Sequence, residues 1–338
     1  MTPEQLHKLI TEGEFPEFSS GRELIETHIS WVILCDEFVY KIKKPIKYSF
    51  LDFHTVEKRK YFCDRELELN KRFAKDIYLE VLPIYEVNGA LKIGEHRGTL
   101  VDYALKMRKL DPAKRLDKLL RRSEVSADDI KSLALWVADF HNKSAVIREK
   151  DVLDVREKFN DLAGQKQLVS AGLGEARARI IDWSVEVSDM FLQKNEALLT
   201  ERLKAGFYRD CHGDLHARNI FMLPAPQPFD CLEFNDDYRQ MDVLNEIAFL
   251  CMDLDAFEKQ SLSGLCIQHY NLHFPAMRTA EERDLFEYYK AYRANVRAKV
   301  YSLRAGSESD MSKKEKLLAE TQKYLGMMEG YLQALANA

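Results

Sequence analysis

The sequence predicts an α+β fold in two lobes, a small β-rich N-terminal lobe (1–108) and a larger, mainly helical C-terminal lobe (109–338). Three observations predict it. Short β-branched and aromatic runs, bounded by turn residues, fill most of the chain before residue 108. Amphipathic helical periodicity takes over from Asp111 and runs to Arg202. A polar, acidic stretch at 209–236 then interrupts that pattern before helices resume at Asp242.

The elements follow in order. Residues 29–34 (ISWVIL) and 38–43 (FVYKIK) are strand runs joined by Cys35, Asp36 and Glu37, a hairpin. Charged residues with periodic apolar ones predict a helix over 52–75. Strands are predicted at 78–87 and 90–93 around the turn Asn88-Gly89, and at 99–107 after Gly98. A hinge falls at 107–110. The helical region breaks near Gly172 and Gly174, and polar loops near 307–312 interrupt its last part.

Composition narrows the classes. A chain of 338 residues can bury a large core and divide into two lobes. The net charge of -5 and a pI near 6.1 leave no basic footprint for nucleic acid. Six cysteines (35, 63, 211, 231, 251 and 266) are scattered without a CxxC pair, which fits reduced thiols better than a disulfide framework or zinc site. The N-terminus shows neither a basic n-region nor an apolar h-region. The longest apolar stretch, 247–252, is too short for a bilayer. A cytoplasmic globular protein without membrane or nucleic-acid partners is expected, with oligomeric state left open.

The chemistry concentrates in residues 209–220, RDCHGDLHARNI, and in 229–236, FDCLEFND. Asp214 and Asn219 lie five apart on a polar run containing Gly213, and the second acidic run follows one loop later. Phosphoryl transfer needs such a set: a carboxylate that takes or orients the acceptor's hydroxyl proton, and an amide and carboxylate that hold magnesium against the phosphates. On the 38–43 strand, Val39, Lys41 and Lys43 share one face. Lys41 is either a phosphate-contacting lysine or part of a solvated face with Lys43 and Lys44. The predicted helix carries the stripe 62-66-69-73, whose polar member is Glu66. A carboxylate on an apolar stripe is costly unless paired, and Lys41 is an available partner; otherwise Glu66 stays wet at the stripe's edge.

Taken together these residues resemble the aminoglycoside phosphotransferase and choline kinase group of the protein-kinase-like fold. Residues 38–41 are similar to its strand lysine, Glu66 to its helix glutamate, and residues 212–219 to its catalytic loop. The likeness extends to a bacterial branch with YKIKKP at 40–45 and DCLEFND at 230–236, sometimes fused to a P-loop domain; no GxxxxGK[ST] run occurs in these residues. The resemblance implies an ATP- and Mg2+-dependent phosphotransferase acting on a hydroxyl of a small molecule. Asp214 would be the catalytic base or hydroxyl orienter, Lys41 would contact the α/β-phosphates, Glu66 would set Lys41, and Met107 at the hinge would lie on the nucleotide side. Asn219 and Glu233 would hold magnesium, with Asp230 as the fallback ligand. Alternatives are a non-catalytic nucleotide-binding regulator, a protein acceptor, or AMP transfer.

Two departures from the family pattern stand out. No Gly-rich loop precedes Lys41, so Thr27, His28 or Ser30 would supply donors to the phosphates, or else serve as ordinary strand residues. At the metal position Glu233 replaces the usual aspartate, and its longer side chain requires the geometry to adjust. Other residues carry weaker signals. His216 would lie near the acceptor and His212 would pack structurally. Asp242 and Glu246 either brace the catalytic loop or simply begin a helix, and Asp253 and Asp255 read as solvent-facing. Lys290, Arg293, Arg297 and Arg304 follow one line of a helix. That line is either a solvated face or a surface for an anionic acceptor, with Arg293 and Arg297 as its candidate ligands; the latter would argue against a polycationic aminoglycoside.

Overall fold

The computed structural model describes residues 1–48, 51–95 and 97–337. The chain forms two compact units, Met1–Lys118 with Asn219–Tyr238, and Leu119–Arg218 with Arg239–Ala338.

The first unit opens on α1 (Pro3–Glu12), a helix where the sequence reading had expected none. Its start is local chemistry: Gln5 N–H donates to Thr2 Oγ1, Thr2 N–H donates to the Gln5 side chain, and Pro3 occupies the first turn, where an N–H is not needed. Then come β1 (Glu23–Glu26), β2 (Ser30–Leu34), β3 (Phe38–Lys43), β4 (Lys47–Tyr48), β5 (Leu51–Asp52), α2 (Val56–Asn70), β6 (Tyr78–Val87), β7 (Ala90–Ile93) and β8 (Thr99–Arg108). Six of these strands form one sheet in the order β1-β2-β3-β8-β6-β7, with every pairing antiparallel. Strand β1 went unpredicted because all four of its residues are exposed, so it shows no alternation.

Alternation along β3 separates two environments. Tyr40 and Ile42 join Trp31, Ile33 and Ile84 in an apolar cluster with Leu6 and Leu9 of α1. Val39 packs on the other face, against Tyr78, Leu105 and Met107. Helix α2 ends at Asn70 instead of 75, and its buried residues are Arg59, Cys63, Glu66, Leu69 and Asn70.

The chain continues as α3 (Leu116–Arg121), α4 (Ala127–Lys143), α5 (Asp154–Asn160), α6 (Lys166–Leu173), α7 (Glu175–Lys204), β9 (Tyr208–Asp210), β10 (Ile220–Met222), β11 (Pro226–Pro228), α8 (Asp236–Arg239), β12 (Gln240–Asp242), α9 (Val243–Ala256), α10 (Gln260–His273), α11 (Ala280–Ser307) and α12 (Met311–Ala336). Within the first unit, side-chain bonds tie the β10–β11 hairpin and the residues after it to the end of α2 and the turn that follows. Gln227 Nε2 donates to the Phe73 carbonyl (2.8 Å), and Cys231 N–H donates to Asn70 Oδ1 (3.0 Å).

The second unit is mainly helical, with β9 paired to β12. Arg202 is almost wholly buried, donates twice to Asp242 (2.6 and 2.8 Å) and reaches Glu282 (2.7 Å). Gly174, at φ +90°, separates α6 from α7 where the sequence breaks. All six cysteines are buried and reduced. Among the described residues no helix is long and apolar enough to cross a membrane.

Candidate active site

Lys41 and Lys43 lie two residues apart on the face of β3 that Val39 shares, and both reach Glu66. Lys41 Nζ donates to Glu66 Oε1 (2.8 Å), and Lys43 Nζ donates to Glu66 Oε2 (2.7 Å). Each lysine has a second carboxylate: Asp230 for Lys41 (2.6 Å) and Glu233 for Lys43. The lysine face is therefore not solvated. The Lys43 and Glu66 side chains are fully buried, and that of Lys41 is 14% exposed. Burial alone would raise the Glu66 carboxyl, but the two lysines outweigh it and hold it at about 2. Burial would likewise strip Lys41 of its proton, but Asp230 and Glu66 keep the ammonium firmly charged. With two lysines and three carboxylates, the fully ionised cluster carries one excess negative charge.

The two acidic candidates for a metal differ sharply. The Glu233 side chain is 5% exposed and engaged by Lys43, and burial pushes its carboxyl upward. Asp230 is 41% exposed. Its backbone sits at φ +61°, a left-handed conformation that non-glycine residues adopt sparingly and that gathers at functional sites. Tyr78 holds it there, since the Asp230 N–H donates to the Tyr78 hydroxyl (2.8 Å). The hairpin then brings Asn219 alongside. Ile220 is opposite Pro228, and Phe229 N–H donates to the Asn219 carbonyl (3.0 Å). An amide and an accessible carboxylate thus flank one end of β10 and β11, an oxygen pair suited to a hard divalent cation. The excess negative charge fits the same ion. The resemblance favours Glu233, with Asp230 as the fallback; each carboxylate is paired with one lysine, and Asp230 is the more exposed of the two.

The segment ahead of Lys41 is a hairpin turn closed without glycine. Thr27 Oγ1 donates to the Ser30 carbonyl and accepts the Ser30 N–H, both at 2.9 Å. Thr27 is therefore occupied in holding the turn. The Ser30 side chain is buried with no hydrogen-bond partner for its hydroxyl, and His28 is exposed at the tip. Met107 is buried opposite Val39 in the sheet.

In the second unit, the loop from His212 to Arg218 is held by its backbone. Glu246 accepts the N–H groups of His212 (3.0 Å) and Gly213 (2.6 Å), and His141 Nε2 lies 2.8 Å from the same carboxylate. Burial would raise Glu246, but His141 and His212 with their hydrogen bonds bring it to about 2. Gly213 sits at φ +90°, which a side chain would strain. Asp253 braces the other end by accepting the Ala217 N–H (2.8 Å). Of the two sequence-suggested braces, Glu246 serves the loop, whereas Asp242 pairs with Arg202 and caps α9. Asp253, expected in solvent, is 2% exposed. Asp255 is not free either, because Lys290 (3.3 Å) and the Tyr331 hydroxyl (2.7 Å) both donate to it.

Asp214 projects from this braced loop with 42% of its side chain exposed. Crowding would raise its carboxyl, but His216, Arg297 and His212 hold it well below the usual carboxylate range. His216 Nε2 lies 3.4 Å from Asp214 Oδ2, and its Nδ1 accepts the Arg218 N–H (3.2 Å), which assigns the proton to Nε2. His216 accordingly orients Asp214. His212 Nδ1 accepts the Asp214 N–H (3.3 Å).

The basic line on α11 is not a solvated face. Lys290, Arg293 and Arg297 are all buried. Arg293 Nε donates to Asn245 Oδ1 (2.6 Å), and the guanidinium lies over Phe249, so it holds α11 to α9. Arg297 donates to the Tyr301 hydroxyl (3.0 Å), and its Nε has no hydrogen-bond partner.

This fold is shared with solved structures of low sequence identity. A choline kinase from Cryptosporidium parvum matches at TM-score 0.56 and 11% identity, over 94% of this chain and 90% of that one. The aminoglycoside phosphotransferase APH(4)-Ia matches at TM-score 0.53 and 10% identity, over 95% and 96%. A choline/ethanolamine kinase family protein from Mesorhizobium loti gives 0.51 and 13%, over 98% and 100%. The chain has the protein-kinase-like fold of the aminoglycoside phosphotransferases and choline kinases. In sequence it is 30% identical over 285 residues to uncharacterised proteins of Mycobacterium tuberculosis and Mycobacterium bovis, covering 82% of this chain and 54% of theirs. The chain thus spans about half the length of the curated relatives it matches. No family model matches it.

Proposed function

We propose that the protein is a magnesium- and ATP-dependent phosphotransferase that acts on a hydroxyl group of a small molecule. One observation carries the reading: Lys41 stands between the buried Glu66 and the accessible, backbone-strained Asp230. Solved proteins of this fold include a choline kinase and an aminoglycoside phosphotransferase, which supports the reaction class.

Glu66 fixes the Lys41 ammonium, so the lysine meets the nucleotide phosphates as an oriented point charge. Lys43 is enclosed by Glu66 and Glu233 and maintains that orientation. Asp230 and Asn219 would hold the magnesium ion, which when bound neutralises phosphate charge. Asp214, kept ionised by His216, accepts or orients the acceptor's hydroxyl proton. Thermal melting with and without magnesium-ATP tests the reading, since a ligand of the folded state raises the melting temperature. An unchanged melting temperature at millimolar magnesium-ATP would refute it.

One observation favours the rival, a nucleotide-binding regulator. The turn ahead of Lys41 is closed by Thr27 and Ser30 and offers no glycine for close approach of the backbone to phosphate. Retained magnesium-ATP binding without phosphate release or transfer across a metabolite pool would decide for that rival.

A further inference from the structure

We propose that the second unit carries an anion subsite, a cavity lined by Arg121, Arg218, Arg297 and Lys323 that takes a phosphate or carboxylate group of the acceptor molecule. That this molecule is an acceptor rests on the phosphotransferase reading; that the cavity binds an anion does not.

The cavity measures about 140 Å³. A single water needs only ~10–15 Å³, so a polyatomic group has room. Arg297 is 8% exposed, yet its Nε has no hydrogen-bond partner. An unmade bond on a buried donor costs free energy unless a ligand supplies the acceptor. The cations here are met by aromatic rings, a carbonyl (Lys323) and, for Arg297, the Tyr301 hydroxyl and the charge of Asp253. Arg121 lies over Phe257 (5.2 Å to the ring centre), Arg218 over Tyr301 (5.9 Å), and Arg297 over Tyr301 and Tyr324 (5.0 and 5.6 Å). Lys323 donates to the Ala256 carbonyl. Ring contacts occupy a guanidinium's face and leave its edge donors for bidentate binding of phosphate or carboxylate.

Asp253, Glu258 and Glu320 also line the cavity. Asp253 accepts the Ala217 N–H through one oxygen, and its negative charge acts on Arg297 and helps keep that guanidinium protonated. The cavity also borders the catalytic loop. Arg218 belongs to that loop, and the charge of Arg297 is felt by Asp214. An acceptor anchored here by its anion would present a hydroxyl on the Asp214 side.

The test needs no nucleotide. Inorganic phosphate and acetate are titrated by calorimetry, at constant ionic strength with chloride, into wild type, Arg121→Gln/Lys323→Gln, Arg297→Gln and Lys41→Ala. The wild type should bind phosphate, acetate or both. The double variant and Arg297→Gln should bind at least about tenfold more weakly, the loss expected for charged hydrogen bonds, while Lys41→Ala binds as wild type. Arg121 and Lys323 are exposed, so the double variant carries the test if Arg297→Gln does not fold. Binding of phosphate alone assigns a phosphorylated acceptor; binding of acetate as well extends the class to carboxylates. Two results would overturn the proposal: no binding of either anion, or binding that Lys41→Ala abolishes and the double variant keeps. Anion binding without magnesium-ATP binding would sink the phosphotransferase reading and leave the subsite standing.

Discussion

Two groups of cations in this protein are handled in opposite ways. In the first unit, Lys41 and Lys43 each contact two carboxylates, and three acids share two lysines. In the second unit, Arg297 and its neighbours are surrounded by tyrosine and phenylalanine rings. The first arrangement holds a charge rigidly and leaves a surplus of negative charge for a cation. The second buries Arg297 among rings and leaves its Nε without a hydrogen-bond partner. Ion pairing fixes the Lys41 ammonium, whereas ring packing holds Arg297 by its faces.

The largest expected effect strikes the point where the acceptor meets the loop. Asp214→Asn keeps the side-chain shape and removes the carboxylate that His216 orients. Turnover should fall by ~10²–10⁴ in a single-turnover assay, with melting and nucleotide affinity nearly unchanged. Near-wild-type transfer would remove Asp214 from the mechanism.

Glu66→Gln breaks the comparison from the other side. It leaves two buried lysines short of a countercharge, and breaking a buried pair typically costs ~3–5 kcal/mol. Urea unfolding should show a midpoint lowered accordingly; an unchanged midpoint would mean that Lys41 and Lys43 are adequately held by Asp230 and Glu233 alone.

Smaller effects separate the two metal candidates. Asp230→Asn should raise the magnesium concentration for half-maximal activity several-fold, about what losing one ligand of a loosely bound ion costs. Glu233→Gln should chiefly lower stability, because it uncouples Lys43. The reverse ranking would return the metal to Glu233.

The smallest effect is the pH profile. Glu66 and Glu246 are held at about 2 in the folded protein, against an ordinary value of 4.5. The unfolded chain therefore binds more protons between these values. Their stabilising contribution is complete above 4.5 and is lost as pH falls toward 2. Acid unfolding of Glu66→Gln should be correspondingly shallower than that of wild type. Equal slopes would show that the lysines do not depress Glu66.

Much of this was legible in the sequence, and the failures have physical causes. The alternation of 38–43 put Lys41 and Lys43 on one face, and the polar intruder at 66 called for a partner. What the spacing concealed was that Glu66 serves both lysines, a consequence of its bidentate carboxylate. Motif position could not reveal that Asp230 and Glu233 each hold one lysine, nor that Asp230 is the more exposed. Helix α1 was missed although Thr2, Pro3 and Gln5 form a capping signature. The basic line on α11 misled because arginine is usually wet; here aromatic neighbours, distant in sequence, bury it. Asp253 looked solvent-facing for the same reason, since its partner Ala217 lies on a loop whose placement only the fold supplies.

The central claim is that Lys41, set by Glu66 and facing Asp230, receives nucleotide phosphates. Calorimetric titration of magnesium-ATP into wild type and a cooperatively melting Lys41→Ala variant tests it most directly. The account predicts saturable binding to the wild type and at least about tenfold weaker binding to the variant, the loss expected for one charge-assisted contact. Equal affinities, or no binding to either protein, would contradict it.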